Sequence, residues 1–148
     1  MSNFTQQLVA LTMATLWADG KTDDTKLEII KQVAADLECP IEETDKFVRE
    51  ENKKQSQSSD VCAYIADAVR MVETREEKHL IMEACVQVAL ADKRLTTKEV
   101  NVLQMVCKAL GGNLAKMICD IAIFVQNDRD IKIEGSDSDF TEEFLDEN

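Results

Sequence analysis

An all-α bundle is the fold class this chain predicts, and three observations predict it. Only four Gly and one Pro occur in 148 residues, while Ala, Leu, Ile, Val, Met, Lys and Glu, most of them good helix formers, dominate. Apolar residues recur at three- and four-residue spacing instead of alternating, which is the period of a helix buried on one side. The stretch WADGKTDDTKLEII (17–30) returns 73 residues later as LADKRLTTKEVNVL (90–103). The expected architecture is a single-domain bundle of about seven helices in two pseudo-twofold-related halves, about 4–51 and 61–126. A helical domain (1–126) and a mobile, acidic C-terminal tail (127–148) complete the expected organisation.

Phe4 to Ala18 reads as the first helix, with Phe4, Leu8, Leu11 and Thr15 down one face. Ala18-Asp19-Gly20-Lys21 stops it, because Gly accepts the left-handed conformation that ends helices. Thr22 or Asp23 caps a second helix over about 23–38, with Leu27, Ile30, Ala34 and Leu37 in one stripe. Cys39-Pro40 breaks the chain. Pro40 suits the start of a third helix to about Glu51, with Glu42 and Glu43 favourable near its positive end.

The polar run NKKQSQSS (52–59) predicts a flexible connector. Asp60 caps a fourth helix, 61–72. Thr74 with Glu77 forms a capping box that opens a fifth, about 75–91, and Thr96 with Glu99 opens a sixth that runs to Leu110. Gly111-Gly112 closes it, and 113–126 makes a seventh helix. Past Asn127 the pattern dissolves, apart from Phe140, Phe144 and Leu145, whose spacing suits a helical turn formed on contact with another surface.

The repeat extends beyond its turns. At an offset of 73, Leu27 meets Val100, Ile30 meets Leu103, Ala34 meets Cys107 and Leu37 meets Leu110. Before the turn, Leu8 meets Ile81, Met13 meets Val86 and Trp17 meets Leu90. An apolar helix ending in Ala-Asp, a short polar turn and an amphipathic helix, said twice, resembles the TerB-like fold of tellurite-resistance proteins over roughly residues 4–126. The resemblance implies a cytosolic bacterial or phage setting and a stress-resistance role without enzymatic activity. It also implies a divalent cation held by acids clustered at the turns.

The acids that match are Asp19, Asp23, Asp92 and Glu99. Carboxylate oxygens converging at one point suit Ca²⁺ or Mg²⁺. Capping alone accounts for the same acids, with Lys21, Lys93, Arg94 and Lys98 beside them as counter-charges. Both readings stand on the sequence. An EF-hand is excluded, since a loop begun at Asp19 has Asp24 at its sixth position and Ile30 at its twelfth.

Charge and composition narrow the function further. The net charge of −12 disfavours direct contact with nucleic acid or anionic lipid. Residues 127–148 carry nine acids against Arg129 and Lys132, a net −7, which leaves −5 for the rest. Five cysteines without paired spacing suit reduced, mostly buried thiols in the cytoplasm. No basic leader precedes an apolar run, and no run is long enough to span a membrane.

Enzymatic chemistry finds no footing. His79, the only histidine, reads as a helix-surface residue, and Cys107 beside Lys108 is a weak candidate thiolate. The expected function is a non-enzymatic stress-response module that docks protein partners, with Ca²⁺ or Mg²⁺ at the turns and Phe140, Phe144 and Leu145 as partner-binding anchors. The alternative is an acidic charge mimic, phage-encoded, that blocks a nucleic-acid-binding protein.

Overall fold

A computed structural model describes residues 3–20, 23–57, 60–91, 93–127 and 130–134. Among them run seven α-helices: α1 (Asn3–Leu16), α2 (Asp24–Asp36), α3 (Ile41–Gln57), α4 (Val61–Val69), α5 (Arg75–Leu90), α6 (Thr97–Ala109) and α7 (Leu114–Asn127). A 3-10 turn, Trp17–Asp19, extends α1. Two short strands, β1 (Arg94–Thr96) and β2 (Lys132–Glu134), pair in parallel. The all-α bundle expected from composition and periodicity is what the chain forms.

The centre of the bundle is α1. Leu8, Val9, Ala10, Leu11, Met13, Ala14 and Leu16 are all buried, and so are Thr5, Gln7, Thr12 and Thr15. A helix covered on every side is surrounded by others, and α2, α3, α4, α5 and α6 all pack against this one. Two of its three buried hydroxyls bond within the helix, and the third, that of Thr5, meets the Cys39 thiol. Thr12 donates to the Leu8 and Val9 carbonyls at 2.7 and 3.1 Å, and Thr15 donates to that of Leu11 at 3.1 Å. Thr12 and Thr15 therefore need no partner outside their own helix.

The repeat holds in the backbone as well as in the sequence. Adding 73 to Asp24 and Asp36 gives Thr97 and Ala109, the ends of α6, and adding 73 to Ile41 gives Leu114, where α7 begins. Asp23 accepts from the Lys26 amide as the cap of α2, and its counterpart Thr96 accepts from that of Glu99 as the cap of α6. Gly20 (φ 84°) corresponds to Lys93 (φ 65°), and Glu38 (φ 62°) to Gly111 (φ 74°). Each left-handed position thus has Gly in one half and a side chain in the other.

Both α2 and α6 close in the same way. The Glu38 and Cys39 amides donate to the Ala35 and Ala34 carbonyls, and the Gly111 and Gly112 amides to those of Lys108 and Cys107, the paired bonds of a Schellman motif. The bulk at this closure is exchanged between halves. A Cβ at Gly112 would lie 3.0 Å from the Cys107 sulfur. The first half has Cys39 at that place, and Ala34 at the place of Cys107.

Three expectations need correction. The segment 52–57 is not a connector: α3 continues through it to Gln57, because Gln55 is buried, Glu51 just before it is buried, and Asn52 accepts the Trp17 indole N–H at 3.0 Å. Residues 132–134, expected within the unpatterned tail, pair as β2 with β1, and Ile131 packs against the core beside them. Two thiols, Cys62 and Cys119, are exposed, while Cys39, Cys85 and Cys107 are buried as expected.

Candidate functional site

The two Ala-Asp turns meet. The Thr96 hydroxyl donates to Asp19 at 3.2 Å, so the cap of α6 in the second half also holds the turn of the first. The same hydroxyl accepts from the Glu99 amide, and the Glu99 carboxylate returns to the Thr96 amide at 2.9 Å. The neighbourhood inferred from the repeat is real, and caps build it.

Of the four acids expected to hold a cation, three are described, and each already has backbone or hydroxyl work. Asp23 caps α2 through the Lys26 amide. Glu99 is buried and committed to its capping box, and Asp19 takes the Thr96 hydroxyl. Asp92 lies outside the described residues. Among the described residues, no three His, Cys, Asp or Glu side chains come together as a ligand set.

The groups weighed as catalysts occupy ordinary places. His79 is on the surface of α5, 3.2 Å from Glu83 one turn on. Cys107 is buried, and desolvation pushes its thiol up, away from a reactive thiolate. Burial also pushes Cys85 up, to about 12, against a smaller opposing hydrogen bond from Thr15.

Sequence patterning missed a buried polar contact between α3 and α4. The Glu51 carboxylate accepts the Tyr64 phenol at one oxygen and Lys54 Nζ, at 3.0 Å, at the other. Burial first, then the Glu51 carboxylate, holds the Tyr64 phenol above its usual range. Thr44, Val48, Glu51 and Gln55 at three- and four-residue spacing along a hydrophilic helix are the signal that was available. Nothing in the sequence distinguishes it from a solvated face.

The second half contains a groove of about 1070 Å³, walled by α5, by the end of α6 and by α7. Met82, Val86, Leu110, Met117, Ile123 and Phe124 supply its apolar lining. Arg75 and Lys78 on its α5 wall have no side-chain partner among the described residues, whereas His79 meets Glu83 and Lys116 meets Asp120.

This opening has a cause in the packing. In the first half α3 lies along α1, but α7 packs chiefly against α6 and stands away from α5. Only Met117 of α7 is buried, and Ile118 and Ile123 are 55% and 53% exposed. The third helix of each half presents the same register inward: Thr44, Val48 and Glu51 of α3 are the counterparts of Met117, Ile121 and Phe124 of α7. The expected anchors Phe140, Phe144 and Leu145 lie outside the described residues.

No described helix is long and apolar enough to cross a membrane. The family model described as "Tellurite resistance protein TerB" matches residues 5–118, from the start of α1 into α7. No curated protein and no solved structure matches the chain.

Proposed function

The chain belongs to the TerB tellurite-resistance family, and from that premise we propose a tellurite-resistance-associated docking module whose second-half groove takes an amphipathic helix of a protein partner. It works without enzymatic chemistry of its own. The observation that carries this reading is the inverted burial of the third helices. The more apolar one, α7, buries one side chain, while the hydrophilic α3 buries four. Apolar area left in contact with water on a lined groove marks a surface that another chain covers.

A helix is the occupant that fits. The corresponding space in the first half is closed by α3 lying on α1, and an amphipathic helix presents apolar residues at the same three- and four-residue spacing as the groove walls. Titrating a panel of labelled amphipathic helical peptides, read by fluorescence anisotropy, tests it. Binding should be measurable to the native chain and lost in Met82→Glu and Phe124→Glu. A panel that binds none of the three, or all three equally, overturns the reading.

A second reading is favoured by the hydrogen bond that sets Asp19 against the cap of α6. It has the joined turns hold Ca²⁺ or Mg²⁺, with Asp92 joining Asp19, Asp23 and Glu99. Caps already use the three described carboxylates, so binding would have to displace or share them. Calorimetric titration with each ion decides: heat and a raised melting temperature, both lost in Asp92→Asn, support it, and their absence removes it.

A further inference from the structure

We propose that the groove's resident occupant is the chain's own C-terminal segment, residues 139–146, seated as a short helix with Phe140, Phe144 and Leu145 against α5 and α7. The inference rests on the docking reading above and names the occupant in the absence of a partner.

Three observations point to it. The first is the repeat itself. In the first half α3 is followed by α4, which Asp60 caps by accepting from the Ala63 amide, which packs on α1, and whose Tyr64 reaches Glu51 of α3. Among the described residues no such helix follows α7. The cap and the first apolar pair of α4 nevertheless return beyond it, although Tyr64 and Ala68 fall on Glu143 and Glu147. At an offset of 79, Asp60 meets Asp139, Val61 meets Phe140, Ile65 meets Phe144 and Asp67 meets Asp146. The six residues added to the 73-residue offset fall between α7 and Asp139, in the stretch that contains β2. The partners change with the occupant: Glu51, which receives the Tyr64 phenol, corresponds to Phe124, an apolar wall of the groove.

The second is reach. Pairing of β2 with β1 fixes Glu134 opposite Thr96, the cap of α6. The groove starts at Cys107, 11 positions further along α6, or roughly 16 Å at the helical rise. Six extended steps from Glu134 to Phe140 span up to about 20 Å. The third is charge. Six acids lie in 135–148, at 137, 139, 142, 143, 146 and 147. On the α5 wall, Arg75 and Lys78 have no side-chain partner among the described residues; of the acids nearby, Glu77 is committed to its capping box and Glu83 to His79, which leaves Glu76 between them. An acidic helix is the amphipathic helix this rim prefers.

The tail therefore competes with any partner helix, and a partner must displace it. Methyl-labelled methionine NMR on the full chain tests this, since Met82 and Met117 line the groove and Met13 sits in the core on α1. In the Phe140→Ala/Phe144→Ala double variant, the Met82 and Met117 methyls should shift while Met13 stays, independently of protein concentration. A synthetic peptide of residues 136–148 should restore them. Helical peptides should also bind that variant more tightly, by about tenfold if the native groove is free about a tenth of the time.

Unmoved Met82 and Met117 methyls overturn the proposal. So does a concentration-dependent shift, which would mean that a second copy fills the groove. If an added helical peptide shifts these methyls while the tail substitutions do not, the tail inference falls and the docking reading stands. If neither shifts them, both fall.

Discussion

The helices α3 and α7 hold equivalent places in the two halves, yet their composition and burial run in opposite senses. The sequence IEETDKFVREENKKQSQ of α3 would be read as surface, but Thr44, Val48, Glu51 and Gln55 are buried because α1 and α2 pack on this helix and Tyr64 of α4 reaches Glu51. The sequence LAKMICDIAIFVQN of α7 would be read as interior, but Ile118 and Ile123 stand half open to solvent. Amphipathicity determines that a helix will be covered. It does not say by what, and an apolar helix with too little covering it is where function is to be sought.

The sharpest way to break the equivalence is in the shared stripe. Ile30 and Leu103 are counterparts and fully buried, so truncating either to Ala should cost a similar ~2–5 kcal/mol in urea unfolding. A large cost for one and a trivial cost for the other would mean that the halves do not share one interior.

Next comes a pH dependence centred on the most deeply buried thiol, in the second half, to which Cys39 and Tyr64 of the first half add in the same direction. Thr12 corresponds to Cys85, whose thiol is raised from 9.0 to about 12 by burial. The native protein keeps this proton where the unfolded chain loses it, so the contribution is complete below pH 9 and fades as pH rises towards 12. Stability should fall by about 1.4 kcal/mol per pH unit in that window, and Cys85→Ala should flatten this slope.

Smaller effects separate the polar joints. Tyr64→Phe leaves a buried Glu51 oxygen without its phenol donor and should cost ~1–3 kcal/mol by thermal unfolding. The matching region of the second half, around Phe124, has no such dependence. Asp23→Ala and Thr96→Ala each remove one cap, worth roughly 0.5–2 kcal/mol. Thr96→Ala should cost the more of the two, since it alone also breaks the bond to Asp19. Equal costs would show that the inter-turn bond contributes nothing.

The smallest expected effect has the opposite sign. Glu38 is exposed at φ 62°, where its counterpart is Gly111. Glu38→Gly should raise stability by about 0.5–1 kcal/mol, the relief of a left-handed side chain less the entropy glycine loses on folding.

Much of the framework was legible because its signals are local. The Asp60 cap and the two capping boxes at Thr74 and Thr96 place helix starts within a few residues, and they are found where spacing predicts them. The repeat was legible because one offset aligned a turn and a stripe together. The candidate site was less so. Asp19 and Thr96 come within hydrogen-bond distance although 77 positions separate them, and only the repeat hinted at it. The groove was invisible, since Met82 and Met117 read as core residues in the same way as Met13 does.

By itself the sequence determined the helices, their caps and the twofold plan, since these follow from spacing within a few turns of chain and from self-similarity at 73 residues. Only the tertiary structure decided that NKKQSQ belongs to a helix, that residues 132–134 pair with the second turn, and that α7 leans away from α5. Those outcomes depend on which surfaces are left over when seven helices compete for one central helix. That competition is settled between distant segments, so no local pattern records it.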